Sequence, residues 1–264
     1  MRDFELRSAI AVTKRLPIIP GSKAIAAVIA KWCLRKPKTE VAASVFGYST
    51  RLNPHEAVER ELLFWPQLFD WREMALLRRE LRPGDIFLDL GSNIGGYSLA
   101  LSHAVGPAGF ILSVDADPYS ATRLRLTASE NRIRQLHVAN VGLSDLAGEL
   151  TFSPQMMGNR GGGSFLAEPN VQSHKVACVT LAQLLDTHKV SRPIRAAKLD
   201  LEGYEYRVLK VFFEQQPPNR WPEILLVERS AGLLSKAGGD SSELIAAHGY
   251  RCILTHGENH IWKR

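Results

Sequence analysis

From Asp85 onward the chain alternates short apolar runs with amphipathic stretches of helical period, and few folds accommodate that alternation. The runs are Asp85–Leu90, Phe110–Val114, Leu136–Val141, Ala196–Leu199, Ile224–Val227 and Tyr250–Leu254. Between most of them lie Tyr97–Ala104, Ser120–Asn131, Leu181–His188, Tyr204–Glu214 and Ser242–His248. A strand followed by a crossover helix and another strand gives a parallel pair, and successive crossovers cover both faces of the sheet. The pattern therefore predicts an α/β fold with a doubly wound, mostly parallel sheet. Tyr250–Leu254 and His260–Trp262 flank His256-Gly257-Glu258-Asn259, which reads as a C-terminal hairpin adding one antiparallel strand. With 264 residues, 45% of them apolar, the chain holds enough core for one large domain with a short extension.

The extension is where the charge sits. Residues 1–40 hold nine Lys and Arg against three acids, and the remaining residues hold 24 of each sign. Pro17, Pro20 and Gly21 divide this leader into two short helical segments, so residues 1–45 are expected to form a basic helical N-terminal extension and residues 46–264 the main domain. Three readings of the leader stay open: a helical pair packed on the body, an interfacial helix resting on an anionic membrane, or disorder. Acids at positions 3 and 5 and the broken apolar run argue against a secretory signal. The neutral body argues against a nucleic-acid partner, whose recognition face would carry the basic charge. From Asn53 to Leu81 the pattern turns helical, with Asn53-Pro54 as cap and first turn and an interruption at Pro66. Cys33, Cys178 and Cys252 are too few and scattered for a disulfide framework or a cysteine zinc site, which fits a reducing, cytoplasmic setting.

Asp89-Leu90-Gly91-Ser92-Asn93-Ile94-Gly95-Gly96 follows the first strand of the alternating region and opens a helix. Gly91 and Gly95 let the backbone turn sharply and approach a ligand, with helix N–H groups aimed at it. Asp115 ends the next strand, 24 residues after Gly91, where an acid can accept hydrogen bonds from ribose hydroxyls. A dinucleotide loop would place glycine where Asn93 stands, and Asp89 would repel a diphosphate while suiting an ammonium group. Both features favour a cofactor with an adenosine and an amino-acid tail, which describes S-adenosylmethionine. Ser144-Asp145, after the third strand, either caps a turn or accepts a hydrogen bond from an adenine amino group.

Ala196-Ala197-Lys198-Leu199-Asp200-Leu201-Glu202-Gly203-Tyr204-Glu205 is the most distinctive segment. Lys198 and Asp200 are two apart and share one face of a strand. Glu202 opens the turn into a helix, where Glu202 or Glu205 also suits the helix N-terminus. Lys198 is equally consistent with a structural ion pair to either acid. Glu228 ends the fifth strand at the same edge, beyond which ligands bind in open α/β sheets. Asp200, Glu202 and Glu228 are oxygen donors of the kind a divalent metal takes, yet their spacing requires none.

Taken in succession, these motifs resemble the FkbM-type methyltransferase family. The matching residues are Gly84–Gly95, Leu143-Ser144-Asp145 with Gly148 and Phe152 after it, Thr180-Leu181, Lys198–Gly203 and Leu226-Val227-Glu228, spanning about Phe46 to Glu228. Asp115-Ala116-Asp117-Pro118 stands where the family usually shows Glu-Pro-x-Pro, and Ser92 where it usually has Ala. The resemblance implies a Rossmann-like methyltransferase sheet and methyl transfer from S-adenosylmethionine to a hydroxyl of a saccharide, glycolipid or natural product. It assigns Asp89, Gly91, Asn93, Gly95, Asp115, Ser144 and Asp145 to the cofactor. Chemistry falls to Asp200, Glu228, Lys198 and Glu202. A nicotinamide oxidoreductase is the alternative that Asn93 disfavours. A nucleic-acid methyltransferase would need an Asn/Asp-Pro-Pro-aromatic motif or a suitably placed cysteine nucleophile. A non-catalytic binding module would differ simply by showing no turnover.

Overall fold

The apolar runs form one sheet in the computed structural model, which describes residues 3–34, 40–155, 158–229 and 238–264. The chain opens with helices α1 (Asp3–Thr13) and α2 (Ser22–Cys33), then strands β1 (Val41–Val45) and β2 (Tyr48–Leu52), then α3 (Ala57–Phe64) and α4 (Trp71–Glu80). The alternating part follows: β3 (Ile86–Leu90), α5 (Gly96–Val105), β4 (Phe110–Asp115), α6 (Pro118–Glu130) and β5 (Leu136–Asn140). An insertion carries β6 (Gly142–Leu143), β7 (Gly148–Phe152) and β8 (His174–Val179) before α7 (Leu181–Thr187). The chain then completes the sheet with β9 (Ala196–Leu199), α8 (Glu205–Gln215), β10 (Ile224–Glu228), α9 (Ser241–Ala247), β11 (Arg251–His256) and β12 (Asn259–Lys263).

The sheet order is β11-β12-β10-β9-β3-β4-β5. β3, β4, β5, β9 and β10 pair in parallel, while β12 runs antiparallel between β10 and β11. The expected C-terminal hairpin thus contributes its one antiparallel strand inside the sheet rather than at its rim. Strand order reverses at β3, so the crevice beyond the carboxyl ends of β3, β4 and β9 is the place where such sheets bind ligands.

Alternation of side chains decides what each face does. Leu88, Leu90, Leu112, Leu199 and Val227 face a core completed by α7, α8 and α9. Phe87, Ile111, Ala196 and Leu226 face the opposite core, under α4, α5 and α6. The helices start where local chemistry caps them: Asp117 accepts from the Tyr119 N–H with Pro118 in the first turn, and Thr180 and Gln183 form a capping box.

Two segments differ from the sequence reading. The extension read as helical over residues 1–45 ends in β1, which pairs with β2 in a hairpin turned by Phe46 (φ 51°) and Gly47 (φ 90°). The primed turn geometry favours Asn-Gly, so Phe-Gly gave little signal, and Val-Ala-Ala-Ser-Val alternates weakly. Further on, helix begins only at Ala57, because the Asn53 side chain instead accepts from the His55 N–H at 3.0 Å and closes a turn. The two leader helices pack on α3, with Leu6, Ala26 and Ala30 buried beside Leu62, Leu63 and Ile94.

The alternation makes a direct prediction. Leu88→Ala empties a fully buried position and should cost about 2–5 kcal/mol, whereas Leu126→Ala, on the exposed face of α6, should stay within about 0.5 kcal/mol. Urea midpoints at constant slope measure both.

Candidate active site

Gly91 (φ 78°) turns the chain at the end of β3 so tightly that a Cβ there would sit 1.8 Å from the Asp200 carbonyl. Gly95 (φ 88°) precedes α5 and leaves no room either, since a Cβ would meet Leu124 at 2.3 Å. Asn93 takes the left-handed conformation at φ 49°, its own Oδ1 accepting from the Ile94 N–H at 2.7 Å. The Asn93 N–H donates to Asp115 Oδ2 at 2.6 Å, and the Asp117 N–H donates to Asp115 Oδ1 at 2.8 Å. Loop and second strand end are thereby fixed to one another.

A cavity of about 260 Å³ opens on this loop. Of the residues predicted from sequence, it brings together Gly91, Asn93, Asp115, Asp200, Glu202 and Glu228. Its apolar side is Val141, Leu143 and Phe165. Burial raises Asp115 to about 7 against the backbone hydrogen bonds that favour its charged form. Hydroxyl donors would favour that charged form further. The apolar wall with an acid beyond it suits an adenosine.

Other predicted residues lie outside the cavity wall. Asp89 is fully buried and accepts from the Ser98 N–H at 3.0 Å and the Ser98 hydroxyl at 2.5 Å, so it braces the start of α5 from beneath. Among the described residues its Oδ1 has no hydrogen-bond partner. Ser144 donates its N–H to the Val179 carbonyl and its hydroxyl to Asp145 Oδ1 at 2.9 Å, which is the turn-closing arrangement.

Lys198 is buried on the α5 side of β9, level with Asp89 on β3 and Leu226 on β10. Its Nζ donates to the Gly91 carbonyl at 3.0 Å and to Asp200 Oδ2 at 2.9 Å, and lies 5.2 Å from the centre of the Tyr97 ring. Burial works to lower its pKa, but Asp200 and Asp89 outweigh that and raise it. Asp200, Glu202 and Glu228 each place a carboxylate oxygen within 4.8 Å of the others. That spacing suits either a shared proton or a shared cation, and the Lys198 ammonium already supplies one positive charge. Burial tends to raise Asp200, yet Lys198 and a hydrogen bond from Glu228 hold it below the ordinary carboxylate range. Burial, then the bond to Asp200 and its charge, push Glu228 up to about 10. Glu202 rises to about 8 through burial and the charges of Asp200 and Glu205. At neutral pH Asp200 is the ionised member of the three.

The helix-terminus role considered for Glu202 belongs to Glu205, which accepts from the Leu201 and Gly203 N–H groups. Glu202 is left in the turn at φ 50° with its side chain on the cavity. The sequence reading missed Arg160. Gly158–Gly163 contains a 3-10 turn, and its residues line the cavity. Arg160 binds Asp117 through two contacts (2.5 and 3.1 Å), stacks 4.8 Å from the Tyr119 ring and gives its N–H to Glu56. An arginine amid glycines and a second acid after Asp115 were the available signals.

The methyltransferase FkbM domain model matches residues 89–252. No curated protein matches the sequence. Among solved structures, the methyltransferase FkbM of Methylobacillus flagellatus KT overlays on 92% of this chain and 60% of its own, at 13% identity and TM-score 0.45. A precorrin-6y C5,15-methyltransferase from Geobacter metallireducens GS-15 overlays on 73% of this chain and 87% of its own, at 13% identity and TM-score 0.43. Aeropyrum pernix fibrillarin, solved with natively bound S-adenosyl-L-methionine, covers 73% of each chain at 12% identity and TM-score 0.41.

The raised carboxyls carry a pH signature. Asp115, Glu202, Glu205 and Glu228 all have folded values above their ordinary ones, so the native state holds protons that the unfolded chain has released. Their contribution is fully present below the ordinary carboxylate range and is lost as pH climbs through about 7, 8 and 10. Melting temperature should therefore fall between pH 5 and pH 10, and Glu228→Gln should flatten the upper part of that decline. A thermal scan across pH measures both.

Proposed function

Because the chain belongs to the FkbM family of S-adenosylmethionine-dependent methyltransferases, we propose that it methylates a hydroxyl oxygen of a saccharide, glycolipid or natural-product acceptor. The observation that carries this reading is Asp200, kept ionised by the buried Lys198 and facing the cavity beside the glycine loop.

Gly91, Asn93 and Asp115 would hold the cofactor, with Asp115 accepting from ribose hydroxyls and Val141, Leu143 and Phe165 walling the adenine. Asp89 and Gly95 shape the loop from behind, and Ser144 and Asp145 close the turn that carries Leu143. S-adenosylmethionine supplies an electrophilic methyl group on its sulfonium. Such a donor leaves the protein mainly the task of aligning the acceptor oxygen. Asp200 accepts the hydrogen bond of the acceptor hydroxyl, orients it, and takes its proton as the oxygen becomes nucleophilic. Glu228, protonated and bonded to Asp200, holds that carboxylate in place. Glu202 braces the opposite side. The charge balance of residues 41–264 supports a neutral acceptor over a polyanion.

Calorimetry should show S-adenosylmethionine and its demethylated product binding where NAD does not. Asp115→Ala should weaken that binding by roughly 1–3 kcal/mol, the cost of removing a charged acceptor from buried hydroxyls. Asp200→Asn should keep cofactor affinity while lowering methyl transfer by about 10²–10⁴, measured with methyl-labelled donor and fractionated glycans, lipids and RNA. Full turnover in Asp200→Asn, or label entering RNA alone, would overturn the reading.

A further inference from the structure

Six of the eleven large apolar side chains exposed among the described residues fall within residues 12–32: Val12, Ile18, Ile19, Ile25, Val28 and Trp32. On α2 they are ordered. Ser22, Ala26, Ala30 and Cys33 are buried. Ile25, Val28 and Trp32 lie within about 60° of one another on another side of the helix. Val28 is 69% exposed and Trp32 58%. A solvated helix would carry polar residues there.

The charge around this stripe identifies what covers it. Arg7 and Lys31 are exposed on the two helices and Arg15 on the link between them, while Lys23 is exposed but paired with Glu61 at 2.7 Å, within a leader whose nine cations face three acids. A second copy of the chain would bring like charge against like charge. An anionic lipid surface offers hydrocarbon for the apolar stripe and negative headgroups for its cationic flanks. No helix among the described residues is long and apolar enough to span a membrane, so contact through α2 is interfacial.

Ile18 and Ile19, just before α2, adjoin the carboxyl edge of the sheet. Ile18, Ile19 and Lys23 line a cavity of about 380 Å³ together with Asp70, Trp71 and His256. His256 ends β11, which runs in the direction of the parallel strands, so it lies at their carboxyl edge. Asp70 accepts from the Tyr97 hydroxyl at 2.9 Å, and the Tyr97 ring carries Lys198, the partner of Asp200. Two side chains, Tyr97 and Lys198, thus link Asp70 of this cavity to Asp200 of the other.

We propose that the exposed face of α2, with Ile18 and Ile19, docks the protein on an anionic membrane surface and presents the carboxyl edge of the sheet to lipid-anchored acceptors. The acceptor part rests on the methyl-transfer reading; the docking part does not. Vesicles of equal parts phosphatidylglycerol and phosphatidylcholine should co-sediment the full chain, with a blue shift in tryptophan emission, and added salt should weaken binding. Pure phosphatidylcholine should bind it less. Ile25→Asp/Val28→Asp should lower the partition coefficient by about tenfold or more, while Leu126→Asp, an exposed apolar position on α6, should not. Circular dichroism and calorimetry with S-adenosylmethionine would confirm that the double variant is folded. Docking is overturned if the double variant sediments like the parent, if the parent stays in the supernatant, or if ultracentrifugation shows a dimer that the double variant dissolves. Methyl label should enter a lipid extract presented in those vesicles. Label found only in water-soluble acceptors overturns the lipid-anchored acceptor while leaving both docking and methyl transfer standing.

Discussion

One buried ammonium group holds the carboxyl edge of the sheet together. Lys198 reaches from the middle of β9 to the Gly91 carbonyl and to Asp200, and so ties the glycine loop to the strand that carries the acid. A lone lysine at that depth would lose its proton, and a lone Asp200 would gain one. Together each keeps the other charged. The consequence spreads outward: Asp200 remains ionised, burial and then the Asp200 charge drive Glu202 and Glu228 toward their protonated forms, and Glu228 donates to Asp200. Breaking such a pair leaves an uncompensated buried charge, which is costlier than never having buried one.

Sequence period explains which parts were legible. Strands of the main sheet are continuous apolar runs because both their faces are covered, and that signal is local. The Lys198/Asp200 pair was legible for the same reason, since alternation continued one residue past β9 puts both side chains on one side. The small sheet formed by β6, β7 and β8 was not, because its strands bury one side only weakly and close through contacts distant in sequence. Glu202 and Glu205 show the limit more finely. Both are acids at a helix start, and only the positive φ at Glu202 and Gly203 turns one toward the cavity and the other onto the backbone.

Arg160 depends on long-range geometry throughout. It stands 43 residues from Asp117, and the two meet because the insertion folds back over the cofactor loop. The glycines beside it permit that approach: a Cβ at Gly161 would sit 2.3 Å from the Asn93 side chain, and one at Gly163 2.5 Å from Phe152. Asp117 occupies the stretch where this chain departs from the Glu-Pro-x-Pro usual in its family. It stands at the open x position of that pattern, and its partner is an arginine that neutralises a nearly fully buried carboxylate at the N-terminus of α6.

The N-terminal helices belong to the same construction. Ile94, one residue past Asn93, is buried in a cluster with Leu6, Ala26 and Ala30, so the leader supplies one wall beneath the cofactor loop. Close-packed interiors transmit displacement from one side of such a wall to the other. The face of α2 that bears Val28 and Trp32 and the face that bears Ala26 and Ala30 are two sides of one helix. The inner face shares one buried cluster with Ile94, the residue following Asn93.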